Sequence, residues 1–169
     1  CHMHTTSEHT VNGASFPIEI HFVHADANSN LAVLGVMVQE GDASPVFPDL
    51  ARLDQIFPDE NGVTHEVADL LHFEALFPAD RSYYHYFGSL TTPPCAEDVM
   101  WHVFRQPITM SKDQLSVLLR KLGRLADASE LGMSNRPVLP LNNRTVYLGQ
   151  NPAGLREPNT SPPDSTGTK

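Results

Sequence analysis

Two histidines one residue apart, His2 and His4 in the stretch CHMHTTSEH, and a third at His21 in PIEIHFVH are the side chains best suited to hold a metal ion. Three imidazoles leave the fourth tetrahedral position of a zinc ion open for water, which is the arrangement of catalytic rather than structural zinc. Water bound there has its pKa lowered from 15.7 to about 7, so hydroxide becomes available at neutral pH. A ligating histidine also needs its other ring nitrogen held by a carboxylate or carbonyl, and Glu19, two residues before His21, suits that task. Taken alone, a His-x-His pair is a weak signal in a chain with nine histidines. His2, His4 and the following Glu8 also fit half of the motif of cupin-type iron or manganese dioxygenases. Against that alternative, the glycine expected after the glutamate is displaced and no second half with its later histidine follows.

The elements that would position these groups are strands. Side chains alternate across a strand with period two, so His2 and His4 point one way while Cys1 and Met3 point the other, and Glu19 shares a face with His21. FPIEIHFVHAD alternates and is rich in β-branched and aromatic residues, and LAVLGVMVQEG is more continuously apolar, as in a strand buried on both faces. Only the polar ANSN separates them, so they are expected to pair. YYHYFGSL and VMWHVFRQPI read as further strands around the loop TTPPC, whose adjacent prolines exclude ladder pairing, and NNRTVYLG as a last one. Asn12-Gly13 marks a turn.

Helical spacing appears at Leu50, Leu53 and Phe57, and DLLHFEALFP reads as a short helix stopped by Pro78. ITMSKDQLSVLLRKLGR reads as the clearest helix. Ser111 and Gln114 make a capping-box pattern, followed by a stripe of Leu115, Leu118, Leu119 and Leu122. From Asn151 onward the chain is rich in Pro, Ser, Thr and Gly and is expected to be a disordered tail after a domain spanning 1–150.

The chain has 169 residues, enough for one domain, with 40% hydrophobic composition. Its net charge of −9 repels phosphate backbones and disfavours a nucleic-acid partner. No apolar run approaches the roughly 20 residues that a transmembrane helix needs. Two cysteines, Cys1 and Cys95, permit at most one disulfide.

HMHTTSEH, EIHFVH, YFGSLTTPPC with VMW, and NRPVLPLNNR, in this order and at these separations, resemble the alpha-class carbonic anhydrases, from Cys1 to about Tyr147. With no insertion between HMH and SEH, the chain is more similar to bacterial or algal members than to vertebrate ones. The resemblance implies a mixed α/β fold dominated by β, with a large, mostly antiparallel twisted central sheet and peripheral helices. It implies that His2, His4 and His21 bind Zn2+, with Glu19 as the partner of His21, and that zinc-bound hydroxide converts carbon dioxide to bicarbonate and a proton. Thr91 would accept a hydrogen bond from the hydroxide and give its own proton to Glu8. A hydroxyl committed in that way can only accept from the hydroxide, which turns the oxygen lone pair toward carbon dioxide.

Val23, Val33, Leu90, Val99 and Trp101 would wall the carbon dioxide pocket, with Thr92 at its mouth, although on residue type alone such strand residues are core. Tyr86 and Arg136 would hold the active-site loop, and sulfonamides or anions would inhibit at the zinc. Ser134 stands where an asparagine is usual, in a contact that uses its main-chain carbonyl to orient a zinc histidine. Cys1 stands where an aromatic residue is usual and faces away from the metal by strand parity. The family's N-terminal portion, with its proton-shuttling histidine, has no counterpart, and His9, His24, His65, His72, His85 and His102 are read as surface or core residues. On this reading the chain is N-terminally truncated, and a non-catalytic binding domain or inactive fragment is the alternative to the lyase. Cys95 resembles a cysteine that secreted members join to an N-terminal one, which points to an oxidising, periplasmic or extracellular location.

Overall fold

A computed structural model describes residues 1–47, 73–125 and 135–150. Strands form where the sequence alternates. They are β1 (His2–His4), β2 (Ile18–Ala25), β3 (Leu31–Glu40), β4 (Tyr83–Gly88), β5 (Val99–Phe104), β6 (Ile108–Met110) and β7 (Tyr147–Gly149). They make one sheet in the order β1-β2-β3-β5-β4-β7, with β6 also pairing β3. All pairings are antiparallel except those of β3 with β5 and with β6, which are parallel. The mostly antiparallel, β-dominated architecture expected from the sequence is therefore present.

The sheet separates two cores. Ile18, Ile20 and Phe22 of β2, Val36 and Val38 of β3 and Phe104 of β5 lie in the larger cluster, together with Leu115, Leu118 and Leu122. Val33 and Met37 of β3 with Val99, Trp101 and Val103 of β5 form the second cluster on the other face. The expected two-sided burial of β3 follows from this, since Val33, Val36, Met37 and Val38 are all buried at 1% exposure or less. Between β1 and β2, Asn12 and Gly13 turn with positive φ of 52° and 79°, and Val11 and Ala14 exchange both backbone hydrogen bonds across them. Gly13 takes this conformation without steric cost.

The one long helix among the described residues, α1 (Lys112–Leu125), lays its leucine stripe on the larger core. Its capping box is reciprocal: the Ser111 hydroxyl accepts the Gln114 amide proton at 3.3 Å, and Gln114 Oε1 accepts the Ser111 amide proton at 3.0 Å. The same Gln114 side chain reaches the segment after β3, accepting from the Ser44 amide and donating to the Ser44 and Phe47 carbonyls. The residues just before Ser111 are strand β6 and not the start of the helix, because their backbone is needed by the end of β3. Of the short helix read around DLLHFEALFP, the described part is a single 3-10 turn, Phe73–Leu76. The helical spacing at Leu50, Leu53 and Phe57 and the tail from Asn151 lie outside the described residues, as does Ser134. No helix among the described residues is long and apolar enough to cross a membrane.

Candidate metal centre

Registration of β1 against β2 assembles the centre. His2 lies opposite His21, and His4 opposite Glu19, so strand parity puts all four side chains on one face while Met3 pairs with Ile20 toward the larger core. The three imidazoles converge, with ring centroids 4.8, 5.2 and 4.7 Å apart for His2–His4, His2–His21 and His4–His21. One nitrogen of each lies within 4.8 Å of the others. His4 and His21 are buried, while His2 keeps an exposed edge.

Glu19 is fully buried and forms the hub beneath them. Its Oε1 lies 2.8 Å from His21 Nε2 and 2.6 Å from His9 Nδ1. Its Oε2 accepts the amide protons of Glu8 and His9 at 2.8 and 2.9 Å. Burial alone would raise the pKa of this carboxyl group. Hydrogen bonds from His21 and His9 outweigh that and hold it well below the usual carboxylate range. An ionised carboxylate only accepts, so His21 must donate from Nε2, which leaves the lone pair of Nδ1 turned to the centre. Burial pushes the His21 pKa down, partly opposed by Glu19, and pushes that of His2 to about 4 with further contributions from His21 and His4. These two rings are thus neutral at pH 7, the form that binds metal.

Gly35 of β3 makes room for the hub. A methyl group there would stand 3.1 Å from Glu19 Oε1 and 3.4 Å from Val103 Cγ2. His9, read from the sequence as a surface or core residue, is instead part of the support: its Nε2 lies 2.5 Å from the Tyr86 hydroxyl. Burial raises the pKa of that phenol, so the hydroxyl stays protonated and donates, His9 Nδ1–H donates to Glu19, and one chain of hydrogen bonds runs from Tyr86 to His21. The Arg144 guanidinium lies over the Tyr86 ring, 5.3 Å from its centroid. Nothing local in the sequence announces this role for His9, because its partner Tyr86 is 77 residues away.

Glu8 is buried, and its Oε1 accepts the Arg136 amide proton at 2.7 Å. Arg136 also donates from Nη1 to the Ser89 hydroxyl at 3.2 Å, consistent with its expected loop-holding role. Glu8 Oε2 is buried without a hydrogen-bond partner among the described residues, 3.4 Å from His4 Nε2 and 3.9 Å from His21 Nδ1. Thr91 lines two cavities together with Glu8, of about 460 and 450 Å³, but no hydrogen bond joins the two side chains. The relay expected between them is thus brought together in space and not closed. Three converging imidazole nitrogens match the needs of a divalent transition-metal ion, and a three-nitrogen donor set suits zinc.

The expected pocket residues divide. Val23, Val33 and Trp101 stand in one register row across β2, β3 and β5, on the face of His21. Trp101 also lines the 460 Å³ cavity, and Thr92 is exposed at the rim of the other. Val33 and Val99 are packed inside the second core with Leu90 against it, whereas Val23 is 44% exposed. Cys1 is exposed, and both Cys1 and Cys95 are free thiols.

With this geometry in view, comparison with known proteins is direct. The family model for eukaryotic-type carbonic anhydrase matches residues 1–150. A carbonic anhydrase of Pectobacterium carotovorum is 37% identical over 145 residues, which cover 86% of this chain and 55% of the relative. The alpha-carbonic anhydrase of Thermovibrio ammonificans, solved in complex with the inhibitor sulfanilamide, superposes with a TM-score of 0.73 at 43% identity, covering 86% of this chain and 59% of that one. Carbonic anhydrase Cah3 of Chlamydomonas reinhardtii, in complex with acetazolamide, gives a TM-score of 0.74 at 32% identity, covering 86% and 62%. The chain thus spans little more than half the length of the relatives it matches, and their fold leaves no place for the cupin alternative. The chain belongs to the alpha, or eukaryotic-type, carbonic anhydrase family.

Proposed function

We propose that this chain carries the metal centre of a zinc lyase that interconverts carbon dioxide and bicarbonate. The observation that carries the reading is the convergence of His2, His4 and His21 above a buried, ionised Glu19. Zinc held there would lower the pKa of a water ligand toward 7 and supply hydroxide at neutral pH. The chain's own residues do the rest. His2, His4 and His21 offer the three ring nitrogens, and Glu19 fixes the tautomer of His21. Thr91, once its proton is given to Glu8, can only accept a hydrogen bond, and so turns the attacking oxygen's lone pair toward the substrate. The apolar side chains of Val23, Leu90 and Trp101 favour an uncharged gas over water at the adjoining wall. Ser134 would lend its carbonyl to a zinc histidine.

Val138, Leu139, Leu141 and Val146 line the 460 Å³ cavity beside Glu8 and are each at least 40% exposed. That exposure, with the partial coverage of the relatives, supports a division in which the longer protein turns over substrate and this chain alone binds zinc more weakly. A location outside the cytoplasm rests on Cys95 alone. Zinc per chain and sulfonamide-sensitive hydration of carbon dioxide, measured on this chain and on a version extended at its N terminus, test the proposal. Zinc and inhibitable activity in the extended protein are expected; an extended protein that folds yet holds no zinc would overturn it.

A further inference from the structure

The loop that carries Thr91 leaves the sheet at Ser89, and Ser89 is held from two sides. Its carbonyl oxygen accepts the indole proton of Trp101 at 3.0 Å, which ties its main chain to a side chain buried in the second core. Gly88 leaves room for that contact: a methyl group there would stand 3.0 Å from Trp101 Cδ1 and 2.8 Å from Tyr86 Cε2. The Ser89 hydroxyl accepts from Arg136 Nη1 at 3.2 Å, across 47 residues of sequence. The amide of the same Arg136 is the group that holds Glu8 Oε1 at 2.7 Å.

One circuit results, from Glu8 through Arg136 to Ser89 and, two residues on, to Thr91. All four residues line the 460 Å³ cavity. The loop's own backbone bonds, from the Leu90 amide to Ala96 and from the Cys95 amide to Thr92, close it on itself. Among the described residues, the Ser89–Arg136 contact is the single hydrogen bond that joins this loop to the segment seating Glu8. A serine just after a strand-end glycine is ordinarily a turn former, and neither tie is needed for that.

We propose that Ser89 is a positioning residue for the hydration of carbon dioxide, setting the span between Thr91 and Glu8 so that the threonine hydroxyl can give its proton to Glu8 Oε2. This rests on the carbon dioxide reading of the centre. Glu8 Oε2 is buried without a hydrogen-bond partner among the described residues, so it is open to a donor arriving from the loop. Reaction rates fall steeply when an orienting group is displaced by as little as about 1 Å. Without the Ser89 hydroxyl, Arg136 Nη1 loses this acceptor and the loop is released from the seat of Glu8.

Ser89→Ala, Ser89→Thr, Arg136→Lys and the double variant of Ser89→Ala with Arg136→Lys test this. Arg136→Lys keeps the amide that binds Glu8 and gives up the guanidinium fork. In the zinc-loaded, N-terminally extended protein, Ser89→Ala is expected to lower kcat/KM about 10- to 100-fold with zinc content unchanged. Ser89→Thr, which restores the hydroxyl, recovers most of that loss, and the double variant loses little more than Ser89→Ala alone. On this chain, NMR is expected to show the Glu8 carboxyl carbon shifting in Ser89→Ala and the Thr91 methyl shifting in Arg136→Lys. Trp101 fluorescence reports folding; should Ser89→Ala unfold, Arg136→Lys and Ser89→Thr decide. An inactive parent would defeat the functional reading alone, and the NMR signals would then decide whether Ser89 links the loop to Glu8. Full activity in folded Ser89→Ala, additive losses in the double variant, or a Thr91 methyl unmoved by Arg136→Lys overturns the proposal.

Discussion

The two faces of β2 are built from the same eight residues and do opposite work. Ile18, Ile20 and Phe22 point into the larger core, while Glu19 and His21 point into the metal centre. On the first face, specificity comes from shape and volume, so a change is felt as stability. On the second, both carboxylate oxygens of Glu19 and Nε2 of His21 are placed by named partners, and Glu19 alone holds two imidazoles and two amides. The apolar face fixes the strand register, and the register delivers the ligands: a slip of one residue would send Glu19 and His21 into the core and Ile20 into the metal centre.

The largest effect is expected from His21→Ala, which removes a ligand and the donor to Glu19 together. Zinc content measured by atomic emission should fall from about one per chain to near zero, while the far-ultraviolet dichroism of the sheet persists. Ile20→Ala inverts the pattern. Ile20 is fully buried in the larger core, so the substitution should cost about 2–5 kcal/mol in denaturant unfolding, with zinc still bound by the molecules that remain folded. If Ile20→Ala removed zinc without lowering stability, the separation of the two faces would be wrong.

Glu19→Gln tests the hub. A glutamine cannot accept from His21, His9 and two amides at once, so zinc affinity should fall about 10–100-fold in a chelator competition. A gentler probe is acid. The pKa of His2 is lowered from 6.5 to about 4 and that of His21 is also lowered, so below pH 6.5 the unfolded chain binds more protons than the folded one. The metal-free protein should lose stability progressively as pH falls from 6.5 toward 4. Glu19, whose pKa is held below its unfolded value of 4.5, adds to the loss as pH falls below that value. Thermal unfolding across this range checks the sign; a melting temperature that rose on acidification would contradict the assigned neutral rings.

Much of this was legible in the sequence because it is local. Period-two alternation in HMH pairs His2 with His4 on one face and in EIHFVH pairs Glu19 with His21, the β1–β2 register then joins the two pairs, and Ser111 with Gln114 marks the start of a helix. What escaped depends on distant contacts. His9 acquires its role only when β4 brings Tyr86 against it, and β6 becomes a strand only because the end of β3 offers a free edge. The parallel pairing of β3 with β5 is likewise a property of the sheet order and has no signature in either strand. Family resemblance pairs Thr91 with Glu8; the structure brings them to the same cavities without joining them.

The central claim is a division of labour in which histidines ligate and glutamates orient. X-ray absorption at the zinc edge of the zinc-loaded protein tests it most directly. The account predicts three imidazole nitrogens at about 2.0–2.1 Å and one light atom from solvent, unchanged in Glu8→Gln. A carboxylate oxygen in the coordination sphere that disappears in Glu8→Gln would show that Glu8 ligates, and would contradict the account.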